Sequence, residues 1–111
     1  MASNLPFITD DQFDWLQSNG RLALARQHQD EAFDPMPVVK LFTPDAGATW
    51  LLTEIDPEAH FAFGLCDLGL GSPEIGSVSL EELAQLRGLM NRPIVQDLHF
   101  RPTQPLSAYA R

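Results

Sequence analysis

Hydrophobic and polar residues follow two rhythms along this chain, one helical and one strand-like, and each change of rhythm marks an element. Near the start, Phe13 and Leu16 are spaced to share one helix face. Thr9-Asp10-Asp11-Gln12 precedes them as a helix opening: Thr9 can cap the amide of Gln12, the Gln12 side chain can return the bond, and Ile8 can staple onto Phe13. Two aspartates in the first turn suit the positive end of the helix dipole. Asn19-Gly20 predicts the stop. Arg21 to Gln29 holds good helix formers and predicts a second short helix, although Leu22, Ala23, Leu24 and Ala25 define no sharp stripe.

After the breaker Asp34-Pro35-Met36-Pro37 the period shortens. Val38 to Thr43 is β-branched and aromatic, turns at Pro44-Asp45-Ala46-Gly47, and resumes as Ala48 to Ile55, which predicts a β-hairpin. A turn at Asp56-Pro57-Glu58 leads to a third strand, Phe61 to Leu68, completing an antiparallel meander. Gly69 to Gly76 reads as loop. Ser79 and Glu82, with Val78 and Leu83 as staple, open another helix whose Leu80, Leu83 and Leu86 face one way and which Gly88 ends. Ile94 to Phe100 alternates cleanly and predicts a fourth strand; Pro105 suits the first turn of a short closing helix. The expectation is an α+β fold: a small antiparallel sheet of about four strands, a meander plus a C-terminal strand, packed with an N-terminal helix and a helix near 80–87. The 111 residues suffice for one domain, with a helical part at 1–33, the meander at 37–78, and helix, strand and tail at 79–111.

Composition narrows the class. The chain is 44% apolar and 20% charged, which is ordinary for a globular protein and excludes a disordered tail or fibrous repeat. Charges or prolines interrupt every apolar stretch short of a bilayer's width, so no membrane association is expected. The first residues lack the basic and apolar regions of a secretory signal, which predicts a cytoplasmic protein. One cysteine, Cys66, leaves no internal disulfide and no paired-cysteine zinc motif. The net charge of −8 is concentrated: Asp30 to Glu74 carries nine carboxylates against Lys40 alone, while the rest holds six acids and six bases. That field repels phosphate backbones and the basic residues form no stripe, so direct nucleic-acid binding is disfavoured and a basic protein partner is favoured.

Several residues could carry chemistry, and each has a plainer reading. Asp97, His99 and Arg101 project from one side of the fourth strand, offering a base, an imidazole and an anion-binding fork; a solvent face laced with ion pairs predicts the same residues. Asp67 falls on the strand side of Phe61, Phe63 and Leu65, and so points toward the core at a strand end. There it is either a structural carboxylate holding the amides of Gly69-Leu70-Gly71 or a metal ligand or general base with Glu74 or Glu54. Gly69 to Glu74 fails as a phosphate loop, because Pro73 removes an amide and Glu74 stands where a third glycine belongs. Cys66 shares its face with Ala62 and Gly64 and reads as a small core residue, with a nucleophile paired to His60 or His99 as the alternative. None of the three histidines, His28, His60 and His99, forms a helix-borne zinc pair. No cofactor is implied. Trp50 and Leu52 face away from Thr49, Leu51 and Ile55, so the second strand is apolar on both sides; if helices cover only one, the Trp50 face with Glu54 nearby becomes an interface, for a partner or for a homodimer.

The stretch Pro37-Val38-Val39-Lys40-Leu41-Phe42-Thr43-Pro44-Asp45-Ala46-Gly47-Ala48-Thr49-Trp50-Leu51-Leu52-Thr53-Glu54, followed by Phe63-Gly64-Leu65-Cys66-Asp67-Leu68-Gly69, resembles a bacterial family known as domain of unknown function twenty-nine fifty-eight. The likeness extends through Pro73-Glu74, Val78-Ser79-Leu80 and Asp97 to Pro102 as far as Ser107-Ala108-Tyr109. The resemblance implies a stand-alone small protein of the kind often carried on plasmids and integrative conjugative elements, and it supplies no activity or catalytic residue. Residues and resemblance together favour an acidic, non-enzymatic module that binds protein through its central region. The competing expectation is a metal-dependent hydrolase or nuclease built on Asp67 with Glu54 or Glu74 and on Asp97 with His99.

Overall fold

The computed structural model describes residues 5–110. Its elements are α1 (Asp10–His28), β1 (Val39–Phe42), β2 (Thr49–Ile55), β3 (Phe61–Asp67), β4 (Glu74–Ser79), α2 (Leu80–Gln85), β5 (Val95–Gln96) and α3 (Leu106–Tyr109). The strands form one open antiparallel sheet in the order β4-β3-β2-β1-β5. The class is α+β, with five strands where four were expected.

α1 opens as the sequence predicts. Thr9 Oγ1 accepts from the Gln12 amide and Gln12 Oε1 accepts from the Thr9 amide, both at 3.1 Å. It does not stop at Asn19-Gly20, however, but continues to His28 and absorbs the second helix. The reason lies in the sheet. β1 pairs with β2 only as far as Leu52, so the carbonyls of Thr53 and Ile55 have no strand on that side. α1 lies there instead. The Asn19 side-chain amide donates to Thr53 O at 2.9 Å, and a Cβ on Gly20 would sit 1.9 Å from Ile55 O. Asn19-Gly20 thus marks a close approach of helix to strand, which glycine permits, and not a helix end.

The sheet carries a separate core on each face. Phe13 and Leu16 of α1, with Leu80 and Leu83 of α2, cover Val39, Leu41, Trp50, Leu52, Ile55 and Ala62. Ile55 joins Trp50 and Leu52 because the register slips between Leu52 and Glu54; strict alternation puts it on the opposite face. Trp50 is 3% exposed and belongs to the main core. The other face holds a smaller core of Leu51, Leu65 and Leu106, flanked by Phe100, Tyr109 and Ala110. Asp34, in the link from α1 to β1, caps α3 from a distance: its carboxylate accepts from both the amide and the hydroxyl of Ser107, while Leu106 N donates to Pro35 O at 3.0 Å. α3 needs this cap, because Pro105 at its N-cap position has no side-chain acceptor.

Two further expectations fail. Residues 69–76 are not all loop, since β4 starts at Glu74 and pairs with β3 from Cys66↔Glu74 to Phe61↔Ser79. β4 is an edge strand, exposed over Glu74 to Ser77, so no buried alternation announced it. In turn, 94–100 is not a seven-residue strand. β5 ends at Gln96, and Asp97 turns the chain: its carboxylate accepts from the His99 amide at 2.9 Å and its carbonyl from the Phe100 amide at 3.3 Å. The second helix is also shorter than expected, closing at Leu86 before Gly88 is reached.

Candidate functional site

Four of the residues singled out from sequence are placed apart. Asp67 is half-buried on the α3 side of the sheet, where its Oδ1 accepts from the Gly69 amide at 2.8 Å. Glu74 pairs with Cys66 and so faces the opposite side. Glu54 pairs with Phe63, four residues from Asp67 along β3, or about 13 Å at strand rise. Asp97 holds its turn and lies 3.9 Å from Lys40 Nζ, a half-exposed pair that contributes little. His99 and Arg101 are exposed in and after that turn, with the Arg101 guanidinium donating to the carbonyls of Leu98 and Phe100. The strand geometry that would have aligned Asp97, His99 and Arg101 is absent. Among the described residues, no three of His, Cys, Asp and Glu come together as a metal-ligand set.

Cys66 is half-buried beside Trp50. Burial pushes its thiol up, the charges of Asp67 and Glu74 push the same way, and the hydrogen bond from Trp50 opposes them. A thiol so held stays protonated near neutrality, which is the reverse of nucleophile activation.

What the structure does bring together is an apolar groove with acidic lining. Past Gly20, α1 overhangs the end of β2. Ala23, Leu24 and Gln27 form one wall of a cavity of about 280 Å³, and Phe61 and Phe63 form the other. Leu24, Phe61 and Phe63 remain 43%, 52% and 38% exposed. This overturns the orientation expected for β3. The small residues Ala62 and Gly64 face the main core under the helices, and the two phenylalanines stand on the other face, beyond the reach of the α3 cluster. The charged residues lining the groove are Glu54, Asp56 and Glu58, from the acidic middle of the chain.

The three carboxylates differ in setting. Burial raises the Glu54 carboxyl, against a 3.0 Å hydrogen bond from the Thr53 hydroxyl. At Asp56 burial works the same way but loses to the backbone amides of Phe61 and His60, which donate at 2.6 and 2.8 Å and hold the carboxyl below its ordinary range. Glu58 is exposed on the rim. Sequence reasoning identified Glu54 but missed Leu24, Phe61 and Phe63. The overlooked signal was the pairing of large residues on one side of β3 with alanine and glycine on the other, since a strand presents its small side where a neighbouring element packs closest.

The site and fold define a small α+β domain with an open antiparallel sheet and no membrane-crossing helix among the described residues. The chain belongs to the DUF2958 family, proteins of unknown function, whose family model matches residues 7–111. No curated protein and no solved structure matches it.

Proposed function

We propose that this chain is a non-enzymatic protein-interaction module whose groove between α1 and β3 receives a basic partner carrying apolar side chains. One observation carries this reading: the exposed Leu24, Phe61 and Phe63 share a single cavity with Glu54, Asp56 and Glu58. Apolar side chains supply the burial that holds a partner, and a rim of one sign selects its charge and speeds its approach. An accessory role for a protein carried on mobile DNA in the bacterial cytoplasm, which the family resemblance suggests, is compatible with such a module. The hydrolase reading draws no comparable support, because Glu74 faces the opposite side of the sheet from Asp67, Glu54 pairs four residues from Asp67 along β3, and Asp97 is engaged by the His99 amide in its own turn.

Affinity capture from a bacterial lysate with three baits tests the proposal: wild type, Phe63→Lys, and Glu54→Lys with Glu58→Lys. Wild type is expected to retain a basic protein at about 50 mM salt and release it near 500 mM, as surface charges become screened. Both variants are expected to lose it. Identical capture by all three baits, or retention indifferent to salt, refutes the groove.

A further inference from the structure

The outer edge of β4 offers a second surface, independent of the groove. Leu80 N donates to His60 O, which fixes the ladder phase: Val78, Gly76 and Glu74 turn their backbone groups toward β3, while Ile75 and Ser77 turn theirs outward. Among the described residues, no other strand covers that edge. Edges are commonly guarded by lysine, proline or a bulge, and within β4 none of these occurs.

Gly76 gives the edge a specific shape. Glycine in a strand weakens it and usually marks a close backbone approach. Gly64, its partner across the ladder, has such a reason, since a Cβ there would lie 1.9 Å from Leu51 O. Gly76 has none among the described residues, because none of their atoms lies within 4 Å of where its Cβ would be. What the missing side chain opens is a hollow of about 220 Å³, floored by the Gly64/Gly76 pair and walled by Trp50, Cys66 and Val78, with Glu74 at its rim.

We infer that β4 accepts an extended peptide strand which seats a large apolar side chain in this hollow. A strand added antiparallel to β4 pairs with the outward groups of Ile75 and Ser77 and sets one side chain directly over Gly76. Two residues along, its next side chain on that face lies opposite Glu74 and is basic; two residues the other way it lies opposite Val78 and is aliphatic. The fitting sequence alternates aliphatic, aromatic and basic positions with polar ones between. A second copy of the chain fits less well. β4 carries no basic residue to set opposite the Glu74 of a second copy, and the pairing would join two chains of net charge −8.

The probe is a synthetic peptide with valine, phenylalanine and lysine facing Val78, Gly76 and Glu74 and threonine between them, compared with a scrambled peptide of equal charge. Binding to the whole chain is read from backbone amide shifts and from Trp50 fluorescence. The expected result is perturbation along Ile75 to Ser77 by the ordered peptide. Gly76→Leu, which fills open space and keeps the fold, should weaken binding about tenfold or more, as expected for loss of an anchor pocket. Equal binding of the scrambled peptide, undiminished binding to Gly76→Leu, or shifts confined to Leu24 and Phe63 would overturn the inference. The last outcome would place the peptide in the groove and leave the groove reading standing.

Discussion

Replacing Gly20 by alanine sets two physical arguments against each other. Helix propensity alone predicts a gain of about 1 kcal/mol, because alanine removes the backbone entropy that glycine carries inside a helix. The structure predicts the opposite sign. The new Cβ would lie 1.9 Å from Ile55 O and 2.9 Å from Ile55 C. Relieving that contact to an ordinary separation moves helix from strand by about 1.5 Å, and no rotamer can help, because both partners are backbone. Such overpacking costs about 3 kcal/mol, and the shift strains or breaks the Asn19 bond to Thr53 O, worth about 1 kcal/mol more. After the propensity gain, a net loss of about 3 kcal/mol remains, and a domain of this size translates that into a melting point lower by roughly 12 °C. Thermal unfolding followed by circular dichroism measures it, with Ser18→Ala, exposed on the same helix, as the control for propensity. A melting point unchanged or raised in Gly20→Ala would refute the packing of α1 against β2, and with it the wall of the groove.

Asp34→Ala should cost about 1–2 kcal/mol in urea unfolding by uncapping α3, and should leave α1 untouched in amide spectra; a loss below a few tenths would show that α3 docks without its distant cap. At Glu54 the folded carboxyl is raised above its ordinary 4.5, so ionisation opposes folding as pH climbs through the raised value and has no cost below 4.5. Glu54→Gln should therefore stabilise by less than about 1 kcal/mol at pH 7 and match wild type near pH 4; the same difference at both would refute desolvation as the cause. Asp56 has the reverse sign: its lowered carboxyl contributes stability above the ordinary 3.8 that is lost as pH falls through the folded value. Asp56→Asn should flatten the acid limb of the stability profile, and an unaltered limb would place acid sensitivity elsewhere.

The parts legible in the sequence were those governed by local chemistry. The Thr9 to Gln12 opening, the Ser79 cap and the hairpin at Pro44 to Gly47 are set by residues three or four apart, and they form as read. The parts that were not legible depend on partners distant in the chain. Gly20 looks like a helix stop until Ile55 lies against it, Asp34 reads only as part of a helix breaker until Ser107 arrives, and Ile55 changes face because of a bulge at Thr53 that alternation does not encode. The candidate site divided along the same line. Glu54 stood out by its charge, but the groove's apolar wall needed α1 to continue past Gly20 and the two phenylalanines to be left uncovered. The reactive-looking set at Asp97, His99 and Arg101 rested wholly on an extended strand, and one side chain accepting a backbone amide was enough to turn the chain.

The two cores are completed at different points along the chain, and this orders folding. The main face is covered by α1, which precedes the strands, and by Leu80 and Leu83 of α2, which follow β4, whereas Leu51 and Leu65 wait for Phe100, Leu106 and Tyr109, made after all five strands. During synthesis a formed meander therefore shows one greasy face until residues 100–110 leave the ribosome, a window in which partly made chains can stick to one another. The Asp34 carboxylate closes that window, because the segment that enters β1 is also the one that receives α3.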